Sequence, residues 1–333
     1  MTRIETKPLP STIALGSPPE VAAALPHLLG FHPEESLICL WLRTGELLVL
    51  QRADLAESVI QNEYIEAYLG AASTIAADEV VIACVTRHED DGLSLLRGMT
   101  EHIKSHVDDV HVRGAMIISG GQVRSAEPGD EWTWISADHR QRADEVLGSR
   151  SDAPRVRRNR REVVSEVAYD ESTNDSNHLN VPADTDRLCS VLARGAVTGI
   201  KERQLIREAG REVQGRDLIM WWAAQVPLDM RRELLEALLS AMRATAPGQA
   251  AHLACATAAT SWLCGDGVRA NAALDRCLEE EPVHSMGRML EAAMVAAVPP
   301  SSFAQMLAEV DPQVVGANQA VVDSLREWGY SPR

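Results

Sequence analysis

Apolar positions recur along the chain with two periods, and the period changes once. Over the first 135 residues, apolar runs of strand length alternate with stretches whose apolar residues return every three or four positions. Residues 11–15 read as a short strand ended by Gly16. Ser17-Pro18-Pro19-Glu20 then carries the marks of a helix start: a capping serine, proline in the first turn and a glutamate that closes a capping box. That helix continues through 21–29 and stops at Gly30. Residues 36–42 and 47–52 read as two strands joined by Thr44-Gly45-Glu46, a hairpin. Residues 57–76 fit a helix with Ile60, Tyr64, Ala67, Ala71 and Ile75 on one face. Residues 79–86 form a nearly unbroken apolar run, the pattern of a strand covered on both sides. A helix over 93–107, a strand over 110–119, a tight turn at Gly120-Gly121, a return strand over 122–125 and an edge strand near 131–135 complete the first part. The pattern predicts an α/β domain with a mixed sheet and helical crossovers.

Beyond residue 184 the period is helical throughout. Helices are predicted over 188–192, 202–212, 217–225, 229–244, 248–264, 267–281, 285–297, 302–309 and 319–328, with Pro227, Pro247, Pro282, Pro299-Pro300 and Pro312 between them. Short breaks between helices of similar length imply antiparallel neighbours. The stretch between the two halves is charged and poor in large apolar residues. The predicted organisation is an α/β domain at 1–138, a linker at 139–183 that is partly disordered or holds one exposed helix, and an all-α domain at 184–333.

Composition narrows the partners. The chain has 333 residues, 32 Lys plus Arg against 48 Asp plus Glu, and a formal net charge of −16, a mean field that disfavours nucleic acid and anionic membranes. No apolar run reaches the roughly 20 residues needed to cross a bilayer, and the first ten residues do not read as a secretory signal. The expected location is cytoplasmic. Cys39, Cys84, Cys189, Cys255, Cys264 and Cys277 stand in apolar stretches without a CxxC pair, and are expected to be buried free thiols. Lysine is nearly absent, which with the alanine-rich helices points to a GC-rich genome.

Two resemblances sharpen the picture. Trp262-Leu263-Cys264-Gly265-Asp266-Gly267-Val268-Arg269-Ala270, followed by Leu274, Leu278 and Pro282, resembles a tetratricopeptide-like helical hairpin. The segment from Leu25 through Gly30-Phe31-His32-Pro33-Glu34-Glu35-Ser36-Leu37 resembles the N-terminal signature of an actinobacterial family catalogued as domain of unknown function 4192. Arg52-Ala53-Asp54-Leu55, Trp221-Trp222, the 262–282 stretch and Val298-Pro299-Pro300 extend the likeness along nearly the whole chain. Family members often carry a cysteine- and proline-containing stretch in the middle, whereas 132–148 here has no cysteine. The resemblance implies a fold and a host lineage, and no activity.

Several residue sets invite a chemical reading. His27, His32, Arg52 and Asp54 surround the first strand–helix–strand unit and form the first-choice ligand-binding set; the structural alternative is an ion-paired end to the hairpin. His102 and His106 share a helical face at a spacing that suits zinc, but no HExxH motif or third ligand accompanies them, so no metal is expected. Ser119-Gly120-Gly121 lacks the GxSxG frame and suits a hairpin turn. Cys255, Cys264 and Cys277, near His252, fall where small residues pack in a tetratricopeptide hairpin, and read as core thiols. Arg155, Arg157, Arg158, Arg160 and Arg161 offer a basic run for phosphates or an acidic partner; the acids that follow at Glu162 and Glu166 favour a solvated segment instead. Trp221 and Trp222 read as core, with a surface anchor for a partner as the alternative.

No nucleophile–base pair, metal motif or phosphate loop meets its sequence test. The expected function is a non-catalytic protein-interaction or regulatory module without a cofactor. The alternatives are a hydrolase or small-ligand binder using the α/β domain, and a nucleic-acid-associated protein acting through the arginine run.

Overall fold

A computed structural model describes residues 5–8, 16–55, 75–107, 109–148, 156–173, 184–195, 197 and 199–330. The chain divides into two compact units. One comprises Met1–Glu162 with Ala293–Val298, the other Val163–Ala292 with Pro299–Arg333. No helix among the described residues is long and apolar enough to cross a membrane.

The first unit is an α/β fold on a seven-stranded mixed sheet. Its strands are β1 (Glu5–Pro8), β2 (Ser36–Arg43), β3 (Glu46–Asp54), β4 (Glu79–Val85), β5 (His111–Ser119), β6 (Gln122–Ser125) and β7 (Thr133–Trp134), in spatial order β1-β3-β2-β4-β5-β6-β7. Among the described strands, only β4 and β5 run parallel. Their crossover contains the helix Glu89–His106, here α2, while α1 is Pro18–Leu29. The other pairs are antiparallel. The β5–β6 hairpin shows why its turn reads so clearly from sequence: Gly120 and Gly121 both take positive φ, 55° and 81°, which a two-residue turn between twisted strands requires.

Side chains alternate across the sheet. Leu37, Cys39 and Trp41 of β2, Val49 and Ala53 of β3, and Val80, Ile82 and Cys84 of β4 form one core with Leu93, Leu96, Met99 and Ile103 of α2. The intervening residues Ile38, Leu40, Leu50 and Arg52 point to the opposite face and are buried as well. A β2 strand covered on both sides explains its continuous apolar run.

The strand expected at 11–15 and most of the helix expected at 57–76 lie outside the described residues. The observed first strand, β1, pairs with β3 from Glu5 opposite Arg52 to Pro8 opposite Val49. It escaped sequence reading because its charges and Pro8 look unlike a strand. At a sheet edge both are tolerated. The expected edge strand near 131–135 is confined to Thr133–Trp134. Within 139–183, the described residues hold part of helix α3 (Ala137–Ala143), a π-helical turn at Asp144–Gly148 and helix α4 (Arg160–Val167), whose Val163 and Val167 are buried.

The second unit is helical: α5 (Thr185–Leu192), α6 (Ile200–Gly210), α7 (Val213–Gln225), α8 (Leu228–Ala244), α9 (Ala251–Leu263), α10 (Gly267–Glu280), α11 (Ser285–Val295, of which 285–292 fall in this unit), α12 (Pro300–Ala308) and α13 (Gln319–Glu327). Helices α9 and α10 form the expected tetratricopeptide-like hairpin. Asp266 caps α10 by accepting the backbone N–H of Arg269 at 3.1 Å. Ala270, Leu274 and Cys277 are buried along α10, and the Trp262 ring lies 4.9 Å from that of Phe303.

Candidate functional site

The α/β unit brings only part of its expected ligand set together. Arg52 is 2% exposed and lies under Phe31, its guanidinium carbon 5.6 Å from the ring centroid. Its Nε donates to Ser36 Oγ at 3.0 Å, and another nitrogen pairs with the Asp54 carboxylate. Pleating explains the arrangement, since Arg52 is opposite Ile38 and Ser36 is opposite Asp54 in the same ladder. His27 belongs to a different contact, with its Nε2 3.0 Å from Asp144 of the π-helical turn. Burial holds the His27 pKa below its ordinary value; Asp144 opposes this and His32 adds to it. His32 is exposed, and its backbone N–H donates to the carbonyl of Arg157 at 3.1 Å. The polar groups are thus tied into the fold: an ion-paired hairpin end and a histidine–aspartate contact.

The arginine run is partly structural. Arg155 lies outside the described residues. Arg157 pairs with Phe31 as an isolated bridge and donates its N–H to Gly30 O at 2.7 Å. Arg158 precedes α4, while Arg160 and Arg161 open it. His102 and His106 stack at 4.0 Å between centroids. Trp221 and Trp222 are both fully buried, and Trp221 Nε1 donates to Val310 O at 3.1 Å. Burial corrects the surface-anchor alternative, because neither indole is presented to a partner.

A more concentrated constellation lies in the helical unit, around the α9–α10 hairpin. Cys255 and His252 are on α9, Cys277 is on α10, Glu281 follows α10, and His284 sits just before α11. Donor atoms of Cys255, Cys277 and His284 lie within 4.8 Å of one another, as do those of His252, Glu281 and His284. Cys255, Cys277 and His284 are all buried. His284 Nδ1 accepts the Gly287 N–H at 2.9 Å, so the neutral ring carries its proton on Nε2, 2.7 Å from His252 Nδ1. Arg216 of α7 is 3.3 Å from His284 Nε2 and 3.4 Å from His252 Nδ1, and it is held by Asp217 at 2.7 and 2.8 Å.

The electrostatics of this cluster follow from burial. Burial pushes both histidine pKa values down; Arg216 contributes to each, and His252 also lowers that of His284. A hydrogen bond to Cys277, followed by burial, raises the Cys255 thiol well above its ordinary value. These shifts favour the neutral imidazoles and the protonated Cys255 thiol. These side chains can bind a soft or borderline metal ion if the thiols give up their protons.

His252 stands beside the cysteines in sequence, whereas His284 and Glu281 carry no motif that joins them to the set. One signal was present. The Gly265–Asp266 turn makes Cys255 and Cys277 equidistant from residue 266, so an antiparallel hairpin sets them opposite one another. His284 depends on the path of the chain after α10, which helical periodicity does not report.

A family model described as Domain of unknown function (DUF4192) matches residues 18–213 and 124–301. The chain belongs to the DUF4192 family. The matched portion of this DUF4192 protein includes both the Arg52–Asp54 corner and the cysteine–histidine cluster. No curated protein and no solved structure matches it.

Proposed function

We propose that this DUF4192 protein is a non-catalytic interaction or regulatory module whose helical unit receives a protein partner. The α9–α10 hairpin carries the reading. Its buried Trp262, its turn at Gly265–Asp266 and its closely packed Ala270 reproduce the likeness to tetratricopeptide hairpins. Val283, just after that hairpin, and Met289 on α11 are exposed and supply apolar contact positions. The all-free state of the described cysteines supports a cytoplasmic setting, and the lysine-poor composition supports an actinobacterial host.

The test is affinity capture with the full chain beside Val283→Glu and Met289→Glu variants of unchanged melting temperature. The reading expects one defined protein held by the native chain and released by a variant. Equal retention by all three, together with a metabolite-dependent rise in melting temperature that Asp54→Ala removes, favours the α/β alternative. Binding to DNA that falls steeply with salt and depends on Arg158 and Arg161 favours the nucleic-acid alternative.

A further inference from the structure

We propose that Cys255, Cys277 and His284 bind one zinc-class divalent ion that fastens the α9–α10 hairpin to the start of α11. This assignment is independent of the partner reading. Their donor atoms already lie within 4.8 Å of one another, and a tetrahedral zinc ion would draw them to about 3.3–3.8 Å given its bond lengths to sulfur and nitrogen. Two thiols and an imidazole suit zinc, cobalt(II) or another thiophilic ion better than magnesium or calcium.

The surroundings distinguish this cluster from thiols that merely fill a core. His284 is 2% exposed and Arg216 is 7% exposed, so two strongly polar side chains are buried where apolar residues would pack at lower cost. A side chain at position 287 would place its Cβ 3.1 Å from Cys277 Sγ and 3.2 Å from His284 Nδ1. Glycine leaves that approach open. The ring is in the tautomer that binding requires, with a lone pair on Nδ1 and the proton on Nε2 directed to His252. His252 then acts as a positioning residue, the usual arrangement for a metal-bound imidazole. An ion bound at Nδ1 takes the lone pair that now accepts the Gly287 N–H.

Charge balances without a further group. The ion displaces one proton from each thiol, both protons leave to solvent, and two thiolates neutralise the ion. Arg216 brings a positive charge nearby, but Asp217 holds it through two nitrogens. Three protein donors leave one tetrahedral position for water or an added ligand.

The test uses the reduced, chelator-treated full chain titrated with cobalt(II). The proposal expects one equivalent to bind, with a thiolate-to-cobalt charge-transfer band and the visible bands of tetrahedral cobalt, all bleached by zinc. Cys255→Ser and Cys277→Ser should each remove or markedly weaken the charge-transfer band, and Cys264→Ser should leave it intact. His284→Ala should abolish stoichiometric binding. His252→Ala should weaken binding about 10- to 100-fold while keeping the tetrahedral spectrum. Where a cysteine variant does not fold, the native chain decides: chelation should lower its melting temperature, and one equivalent of zinc should restore it. A native chain with no stoichiometric thiolate–cobalt band, or a band that survives in folded Cys255→Ser and Cys277→Ser variants, overturns the assignment. So does a native melting temperature indifferent to chelator and zinc.

Discussion

Arg231 donates through one terminal nitrogen to the carbonyl of Leu263 at 2.6 Å. Its Nε reaches Ala223 O at 2.7 Å, and its other terminal nitrogen reaches Val226 O at 2.9 Å. Ala223 is in the last turn of α7, Val226 directly follows that helix, and Leu263 is the last residue of α9. One side chain therefore satisfies carbonyls at two helix C-termini, where the helix dipole also favours a cation. Arg276 does similar work, donating to Met242 and Thr245 at the end of α8 and to Val167 at the end of α4.

Replacing Arg231 with methionine preserves much of the apolar stem but leaves three carbonyls without their donor. The expected loss is about 3 kcal/mol, because charge-assisted hydrogen bonds contribute about 1.5–3 kcal/mol and these are not additive. Urea unfolding of the full chain, followed by helical circular dichroism, measures it. Arg231→Lys should fall between native and methionine, since an ammonium lacks the planar fork that spans all three oxygens. A methionine variant as stable as the native chain would remove the capping account.

These caps show where sequence reading ends. The hairpins of the sheet are legible because their turns are local: Gly120-Gly121 sits between two apolar runs. The α9–α10 hairpin is legible for the same reason, through Gly265-Asp266 and the capping Asp266. Arg276 finds Val167, 109 positions earlier, and no local period reports that contact. His284 likewise joins Cys255 only through the turn that follows α10. Pro8 and its charged neighbours concealed β1 because edge pairing relaxes the pattern that identifies an interior strand.

Glu35 gives a backbone test at the entry to β2. It is not glycine, yet its φ is 36°. Its carboxylate accepts from Thr86 Oγ1 at 2.7 Å and from the Arg87 N–H at 2.9 Å, tying the start of β2 to the segment after β4. Glu35→Ala loses both bonds and retains the left-handed conformation. Glu35→Gly loses the same bonds but relieves that conformation, at roughly 1 kcal/mol. Chemical denaturation should rank native above glycine and glycine above alanine. Alanine equal to or better than glycine would show that φ imposes no significant cost there.

His27 supplies a pH test whose sign follows from burial. Its folded pKa is depressed by burial and by His32, while Asp144 partly compensates. The unfolded imidazole titrates near about 6.5 and binds its proton more tightly than the folded one. The His27 contribution to stability is therefore complete above that pH and is lost as the solution becomes more acidic, until the depressed folded pKa is reached. Its slope is at most about 1.4 kcal/mol per pH unit. Histidine NMR should place His27 below the ordinary value. Asp144→Asn should lower it further by removing the compensating charge, and His32→Asn should raise it by removing the repulsion. A downward move in the His32 variant, or an upward move in the Asp144 variant, contradicts this assignment of causes.

The Arg52 corner separates a structural side chain from a ligand-binding one. Arg52 bonds Ser36, pairs with Asp54 and lies against Phe31 from a buried position, so Arg52→Ala removes packing as well as charge. The expected destabilisation is about 2–4 kcal/mol. Asp54 is largely exposed, so Asp54→Asn should cost under about 1 kcal/mol. Ser36→Ala, which withdraws one buried acceptor, should fall between them. Denaturant midpoints of the three variants provide the comparison. Equal losses for Arg52→Ala and Asp54→Asn would place the stabilisation in the ion pair itself. The large difference expected instead assigns it to the buried stem, its ring contact and the serine, with the carboxylate completing the corner from solvent.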